Sequence, residues 1–186
     1  MGTKRFEVIM AGVGGRGVLM AGELLARAAL SVYPYASWLP SYTAAMRGGP
    51  CECTVILSEE EIASPIVSKV ASVVVMEPTQ LKSFLGRLKP GGLLIVEISG
   101  LEEKVDRDDV TVLKVPALAI ADRVGNPQAA NLVLLAAYIE ATKAIPLGLV
   151  EAELEKRLGA NEKVKAINRA ALREGTKLAA SSVSQP

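Results

Sequence analysis

The stretch IMAGVGGRGVLMAGELLARAA, residues Ile9–Ala29, decides the fold of this chain. An apolar run leads into a cluster of glycines, and apolar residues then recur at close to helical spacing. From Gly12 to Gly17 the glycines follow the spacing G-x-G-x-x-G, the fingerprint of a dinucleotide-binding turn between a strand and a helix. The sequence therefore predicts a strand over Phe6–Ala11, a tight turn, and a helix over Val18–Leu30.

Further strands and helices are predicted along the rest of the chain. Apolar runs typical of buried strands occupy Cys51–Leu57, Ser72–Met76, Leu93–Val96 and Val110–Val115. A helix over Thr79–Lys89, closed by Pro90-Gly91-Gly92, is predicted to connect two of these strands. Helices then dominate, roughly over Gln128–Lys143, Leu149–Leu158 and Glu162–Ala179.

This order of elements predicts an α/β fold. We expect a single Rossmann-like domain with a mainly parallel, twisted sheet flanked by helices, and a helical C-terminal part. With 186 residues, half of them hydrophobic, the chain is long enough for one sizeable core. The predicted domain covers residues 1–180, and the tail 181–186 is expected to be frayed. The charge run Glu102–Asp109 is expected to be a solvated loop.

Composition narrows the classes of function. The formal net charge of +1 gives no reason to expect a nucleic-acid partner or an anionic membrane surface. The apolar stretch Ala129–Ile139 is too short to cross a bilayer, and the N-terminus lacks the anatomy of a signal peptide. Two cysteines form no disulfide framework, which favours a reducing cytoplasm. The absence of histidine removes Cys-His and Ser-His nucleophile pairs and most zinc sites.

The glycine turn by itself does not make a dinucleotide site. Such a site needs an acidic residue about 20 residues later for the ribose hydroxyls, or an arginine for a 2′-phosphate. Ser31–Pro40, which occupies that region, contains neither. We therefore expect NAD, NADP and FAD to bind weakly or not at all. Two interpretations of the glycines stay open: an anion site at the start of the helix, or turn geometry and close packing.

A second informative stretch, LPSYTAAMRGGPCECTVIL, begins at Leu39. Arg47 beside Gly48 and Gly49 could offer its guanidinium fork to a phosphate or carboxylate where the backbone approaches closely. The alternative is a glycine turn with a surface arginine. Cys51 and Cys53 would share one face of a strand and are interpreted as a buried structural pair, since no other cysteine or histidine could complete a metal site.

Taken together, these motifs resemble one family of enzyme subunits. The motifs are Gly12-Val13-Gly14-Gly15-Arg16-Gly17-Val18-Leu19, Pro40-Ser41-Tyr42, Met46-Arg47-Gly48-Gly49, Cys53-Thr54-Val55, Ile62-Ala63-Ser64-Pro65, and Gly125-Asn126 through Asn131-Leu132. The chain is similar to the gamma subunit of 2-oxoacid:ferredoxin (acceptor) oxidoreductases, which act on pyruvate, 2-oxoisovalerate and 2-oxoglutarate. It departs from them at Arg16, where glutamine is usual, and at Thr43-Ala44-Ala45, where a Gly-Ala-Glu-like run is common.

The resemblance implies a role in oxidative decarboxylation, in which a 2-oxoacid and coenzyme A give acyl-CoA, carbon dioxide and reduced ferredoxin. Thiamine diphosphate, magnesium and iron–sulfur clusters are expected on partner subunits of the alpha, beta (thiamine-binding) and delta (ferredoxin-like) types. This chain carries no thiamine motif and too few cysteines for a cluster, so it is expected to be inactive alone. It is expected to hold no cofactor tightly and to contact coenzyme A.

The candidate ligand-binding residues are Gly12, Gly14, Gly15, Arg16, Gly17, Ser41, Tyr42, Arg47, Gly48 and Gly49; no catalytic or metal-binding residue is predicted. Asn126 and Asn131 flank the start of a long helix, where helix capping and hydrogen bonding between helices compete with a ligand role. Two other functions stay open: a free-standing nucleotide-dependent oxidoreductase, and a Rossmann-like binding or scaffolding module without catalysis. The 2-oxoacid itself is not determined by the sequence.

Overall fold

The computed structural model describes residues 3–42, 48–158 and 161–183. In this part of the chain, six strands form one sheet: β1 (Arg5–Val13), β2 (Tyr35–Tyr42), β3 (Pro50–Ser58), β4 (Val70–Val75), β5 (Leu88–Glu97) and β6 (Thr111–Val115). Six α-helices surround it: α1 (Val18–Ala29), α2 (Leu81–Leu85), α3 (Ala117–Arg123), α4 (Ala130–Thr142), α5 (Leu147–Leu158) and α6 (Glu162–Val183). Short 3₁₀ turns at Pro78–Gln80 and Pro127–Ala129 precede α2 and α4.

The sheet is mixed, with strand order β2-β3-β1-β4-β5-β6. Strands β1, β4, β5 and β6 are parallel to one another, whereas β3 runs antiparallel to both β1 and β2. The predicted α/β class and the mainly parallel sheet are therefore confirmed. The antiparallel β2–β3 pair at one edge could not be recognised from the strand pattern, because an apolar run does not reveal the direction of its neighbour.

Two hydrophobic cores lie on opposite faces of the sheet. The larger core packs α1, α4, α5 and α6 against residues such as Met10 and Val55. The smaller core joins Ile9 and Val73 to Leu81 and Phe84 of α2. Helix α4 is buried at every position from Asn131 to Ile139, which explains why its sequence is apolar all round.

The predicted helix over Thr79–Lys89 is wrong in its second half. Helix α2 ends at Leu85, and β5 already begins at Leu88 and continues through Pro90-Gly91-Gly92. The ladder between β4 and β5 shifts register here, with Val70 opposite Leu88 and Ser72 opposite Leu93. Gly91 has φ +74° and donates its N–H to the carbonyl of Asp109 (2.7 Å), so the Pro-Gly-Gly segment forms an irregularity within the strand.

Other boundaries differ less from the prediction. Strand β2 and helix α3 were not predicted, and α6 continues to Val183, beyond the predicted end at Ala179. The first residues of the segment expected to fray, 181–183, thus belong to a helix, and residues 184–186 lie outside the described part. The assignment of residues 1–180 to a single domain stays a prediction. The Glu102–Asp109 segment is an irregular, mostly exposed loop, as expected.

Candidate functional site at the glycine-rich turn

The glycine-rich turn lies at the edge of the sheet where the chain segments that follow two neighbouring strands turn to opposite faces. After β1 the chain enters α1 on one face, and after β4 it enters α2 on the other face. Because β1 and β4 are parallel neighbours, a crevice opens beyond their carboxyl ends. In open α/β sheets such a topological switch point is the usual place for a ligand. The predicted turn residues and Glu77, just after β4, meet at this edge.

The turn is fixed by two backbone hydrogen bonds. The N–H of Arg16 donates to the carbonyl of Val13 (3.2 Å), and the N–H of Gly14 donates to the carbonyl of Gly49 (2.9 Å). The second bond joins the turn to the segment that leads into β3. The two glycine motifs are therefore in contact, but the amide of Gly14 is already used within the protein.

Close packing explains two of the glycines. A Cβ on Gly12 would lie 2.9 Å from the Val18 side chain, and a Cβ on Gly17 would lie 2.4 Å from Nδ2 of Asn131. Gly15 differs, because open space surrounds its Cα and a φ of +93° alone favours glycine. Close packing thus accounts for Gly12, packing and a left-handed backbone for Gly17, and the backbone conformation alone for Gly15. The alternative interpretation of the motif, an anion site at the start of the helix, stays a prediction.

Helix α1 begins without a side-chain cap. Its N-cap residue is Gly17 in the left-handed conformation, and the first turn carries no acidic residue. The first intrahelical bond runs from the N–H of Ala21 to the carbonyl of Gly17 (3.0 Å), so the amides of Val18, Leu19 and Met20 have no acceptor within the helix. These donors and the helix dipole make this terminus attractive to an anion.

Arg16 closes one side of the crevice with an ion pair. Its Nε and Nη2 both lie 3.0 Å from the same oxygen, Oε2 of Glu77. The Arg16 side chain is 42% exposed and that of Glu77 is 18% exposed, so solvent screens the pair. A partly exposed guanidinium next to an uncapped helix start is thus available to a competing anion.

Asn131 connects the turn to the centre of the molecule. Its Nδ2 donates to the carbonyl of Gly17 (3.1 Å), and only 2% of the residue is exposed. Its Oδ1 is buried without a hydrogen-bond donor, which is unusual for a polar atom in a native protein. Asn126 has a different role: its side chain accepts from the N–H of Gln128 (3.1 Å) and caps the 3₁₀ turn before α4, as the capping alternative predicts.

A small cavity of about 110 Å³ adjoins the turn. It is lined by Gly15, Arg16, Leu118, Pro127, Gln128 and Ala130. Behind this wall, the fully buried carboxylate of Glu97 accepts from the N–H of Ser99 (2.7 Å) and from the N–H of Leu118 (2.9 Å). Sequence reasoning missed Glu77 and Gln128, because each comes to the turn from a distant part of the chain. It also missed Glu97, which binds the backbone N–H of the cavity residue Leu118.

The second predicted motif lies partly beside the first. Tyr42 of β2 is opposite Cys51 of β3, which in turn is opposite Gly12 of β1. Ser41 occupies the next position, is exposed, and is opposite Glu52. Gly48 has φ +97° and open space around it. Arg47 and the Thr43-Ala44-Ala45 departure lie outside the described residues, so the predicted role of Arg47 stays a prediction.

The sheet order also bears on dinucleotide binding. In the dinucleotide fold, the strand that carries the ribose-binding acid is a parallel neighbour of the first strand. Here the corresponding neighbour of β1 is the antiparallel strand β3, which presents Pro50 and Cys51 next to the turn. The parallel strand that carries the acidic residue in the dinucleotide fold therefore has no counterpart next to β1 on this side, and the absence of NAD, NADP or FAD binding stays a prediction.

The two cysteines differ in burial, and only Cys53 lies in the hydrophobic core. Cys53 is fully buried, and its thiol donates to the carbonyl of Val18 (3.6 Å). Burial raises the pKa of the Cys53 thiol to about 12, although the Trp38 indole opposes this shift. Cys51 is half-buried, and burial raises the pKa of its thiol as well. Within the described ranges, no three histidine, cysteine or acidic side chains come together as a metal site.

Comparison with known proteins identifies the family. The family model described as pyruvate ferredoxin/flavodoxin oxidoreductase matches residues 7–178, which is nearly the whole chain. The chain belongs to this family. The matched range contains the glycine turn, Glu77, Glu97 and Asn131, so the crevice lies inside the family domain.

Two curated relatives show how this oxidoreductase domain occurs. The 2-oxoglutarate synthase subunit KorC of Methanothermobacter marburgensis is 33% identical over 169 residues, covering 86% of this chain and 90% of the relative. The ketoisovalerate oxidoreductase subunit VorA of the same organism is 34% identical over 132 residues, covering 71% of this chain. The match spans only 27% of VorA, so there the domain is part of a longer chain.

A solved structure shares the fold. The 2-oxoglutarate:ferredoxin oxidoreductase from Magnetococcus marinus, with 2-oxoglutarate, coenzyme A and succinyl-CoA bound, superposes with a TM-score of 0.87. The match is 22% identical in sequence and covers 96% of this chain and 31% of the other.

In the described part of the chain, none of the helices combines the length and apolar character needed to cross a membrane.

Proposed function

We propose that this chain is the gamma-type subunit of a multi-subunit 2-oxoacid:ferredoxin oxidoreductase and is not active alone. The observation that carries the proposal is the end-to-end correspondence with KorC, which is a subunit of similar length rather than a fragment of a longer chain. The family match over residues 7–178 supports the same assignment. VorA supports a close association with other parts of such an enzyme, because there the domain is covalently continuous with them.

The complex would convert a 2-oxoacid and coenzyme A to acyl-CoA and carbon dioxide, with ferredoxin as the electron acceptor. Thiamine diphosphate with magnesium would stabilise the carbanion, and iron–sulfur clusters would carry the electrons. The residues of this chain do not fit either group: Cys53 is packed in the core with a neutral thiol, and the described residues hold no cluster of metal ligands. We therefore assign these cofactors to partner subunits, which we propose are of the alpha, beta and delta types. The two cysteines without a disulfide framework support a cytoplasmic location for the complex.

For this chain we propose a coenzyme A-facing role at the crevice. The uncapped start of α1, the exposed Arg16 and the open backbone at Gly15 are suited to a phosphate-bearing ligand. The solved relative with coenzyme A bound shares the fold, which makes coenzyme A the ligand to test. The chain would bind and orient the coenzyme, and the reacting groups would come from its partners.

Affinity copurification tests the assembly. The chain is co-expressed, with an affinity tag, together with alpha-, beta- and delta-type proteins from the same genome. We expect all partners to be retained, with iron and thiamine diphosphate present in the complex and absent from the chain purified alone. Retention of no partner, or stoichiometric iron in the isolated chain, would contradict the proposal.

A further inference from the structure

We propose that the free edge of β2 and the groove beside it form a docking surface for a partner subunit. The occupant is an extended segment of that subunit, which adds a strand to the sheet, places apolar side chains in the groove and brings a basic residue to its acidic end. The inference rests on the proposed function, because it names the part of this chain that the assembly covers. Residues 30–39 and 61–65 together are called the β2 surface.

The sequence around β2 has the composition of a protein–protein contact. No residue between Arg27 and Arg47 is charged, although charged residues make up 22% of the chain. The short span Tyr33–Tyr42 contains three of the four tyrosines and the only tryptophan. Interface cores are depleted in charged residues and enriched in aromatic ones. A buried element could have the same composition, so the exposure of these residues decides between the two.

The apolar residues of the β2 surface are exposed. Of the six large hydrophobic residues that are exposed in the described part of the chain, four belong to this surface: Leu30, Val32, Tyr35 and Leu39. Tyr35 and Leu39 share one face of β2, whereas Ala36 and Trp38, on the other face, pack against the larger core. Within the described residues, the smaller core on the side of Tyr35 has no member from β2, so α2 does not cover this face.

The backbone edge of β2 is free as well. Within the described residues β2 pairs with β3 alone, and β6 is the other edge of the sheet. Proteins protect free edges from unwanted pairing with short strands and charged side chains. Strand β6 follows this rule, with five residues that include Lys114, whereas β2 has eight residues and no charge. The difference indicates that the β2 edge is meant to be covered.

Pro40 indicates how a partner strand would bind to β2. Proline lacks the N–H of a ladder bond and is tolerated in an edge strand where that position faces away from the neighbouring strand. Because N–H groups alternate along a strand, those of Ala36 and Trp38 face the same free edge. Pairing is therefore expected over Tyr35–Leu39, before the proline.

A groove adjoins this half of the strand. Its volume is about 380 Å³, and it lies between the start of β2 and the segment after β3. The residues that line it include Leu30, Tyr35, Ile62 and Pro65, together with the acidic Glu61. The groove is thus suited to an apolar side chain of a strand that is paired with β2.

The acidic end of the groove determines the chemistry of the partner. Glu59 and Glu60 precede Glu61; the first accepts from a backbone N–H and the second from a hydroxyl. None of these three glutamates is paired with a cationic side chain in the part of the chain that the structure describes. A lysine or arginine of the partner would complement them. The strand of a second copy would bring no cation, because residues 28–46 are uncharged, so charge complementarity favours a different chain.

Titration of the purified chain against its alpha-, beta- and delta-type partners tests the surface. Leu39→Lys places a charge in the centre of the proposed contact and should weaken binding by at least about tenfold. The matched control is Ile98→Lys, because Ile98 has a similar exposed fraction (36% against 38%) but lies outside the β2 surface. Circular dichroism checks that both variants are folded, which is expected because both side chains are already exposed.

Two further measurements do not depend on the folding of the Leu39 variant. Glu61→Lys reverses the charge at the groove and should weaken partner binding by about three- to tenfold. Glu102→Lys, in the exposed loop after β5, is its control and should leave binding unchanged. In wild-type protein, hydrogen exchange at the amides of Ala36 and Trp38 should slow when the complex forms.

The outcomes separate this inference from the proposed function. If the partners bind wild type and folded Leu39→Lys equally tightly, or if Ala36 and Trp38 gain no protection, the docking surface is wrong while the assembly stands. Sedimentation of the isolated chain should show a monomer. A dimer that Leu39→Lys dissociates, with partner binding unchanged, would assign the surface to a second copy and overturn the inference. If the partners do not bind the wild-type chain at all, the proposed function fails and this inference fails with it.

Discussion

The crossing of α4 and α6 and the glycine-rich turn use the same residue type for opposite reasons. At Gly175, a Cβ would lie 2.2 Å from the carbonyl oxygen of Val133, so glycine is required by the close approach of two helices. At Gly15 there is open space, and glycine is required by the backbone conformation. The crossing is saturated with apolar contacts, whereas the turn has an uncapped helix, a solvent-screened ion pair and an unpartnered amide oxygen. The close-packed crossing is explained by the fold, whereas the unmet polar groups of the turn make it the place where we expect a ligand.

The largest expected effect is at the helix crossing. Gly175→Ala places a methyl group against backbone that cannot move independently, and we expect a loss of about 3 kcal/mol in the free energy of unfolding. Urea unfolding followed by circular dichroism measures it. The control is Gly148→Ala on the exposed side of α5, where nothing lies within 4 Å and the change should be neutral or slightly stabilising. Equal stabilities of the two variants would contradict the close-packing account.

A second substitution tests the packing of α1 against β3. A Cβ on Gly22 of α1 would lie 2.3 Å from Sγ of Cys53. Gly22→Ala should therefore lower the free energy of unfolding by about 1–3 kcal/mol. Cys53→Ala removes the obstructing sulfur, so the double variant should be more stable than the sum of the single changes predicts, with a coupling of at least about 0.5 kcal/mol. Strict additivity would show that the sulfur is not the obstacle and would leave the Trp38 indole, 3.2 Å from the same Cβ, as the side chain that resists the methyl group.

The long-range contacts of the site explain why sequence reasoning found only part of it. The turn and the start of α1 were predicted because glycine spacing and helical periodicity are local signals. Glu77 and Asn131 are 61 and 114 residues away from their partners in the turn, and no local pattern marks them. The sequence did single out Asn131, but as a cap or a contact between helices rather than as a contact to Gly17.

The errors in the fold have a similar origin. Pro90-Gly91-Gly92 is a typical end of a helix, but Leu88 is buried in the sheet, and the bond from Gly91 to Asp109 keeps this irregular segment within β5. Strand β2 was missed because YASWLPSY contains a proline and does not alternate regularly; the ladder with β3 decides its conformation. In both places tertiary pairing outweighs local propensity.

A smaller effect is expected at the opposite end of β1. Burial alone would raise the pKa of Glu7, but hydrogen bonds from Lys89 (2.5 Å) and Arg5 (2.9 Å) outweigh it and hold the pKa below its ordinary value of 4.5. The depressed pKa means that this stabilisation is present above the unfolded value and is lost as the pH falls through the folded value. We expect it to be below about 1 kcal/mol, because both cations are partly exposed.

The pH dependence of urea unfolding checks this expectation. Glu7→Gln should flatten the decline in stability between about pH 5 and about pH 3 relative to wild type. Glu102→Gln, in the exposed loop after β5, serves as the control and should reproduce the wild-type decline. A Glu7→Gln curve parallel to wild type through this range would show that the carboxylate pairs do not contribute.

Turnover of the complete enzyme tests the central claim most directly. Complexes are assembled from the alpha-, beta- and delta-type partners with and without this chain, and acyl-CoA formation is measured with pyruvate, 2-oxoglutarate and 2-oxoisovalerate as separate substrates. The account predicts that at least one 2-oxoacid is converted when all subunits are present, and that the chain alone and the complex lacking it form no acyl-CoA. Full turnover without this chain, or turnover by the chain alone, would contradict its assignment as a required, non-catalytic subunit.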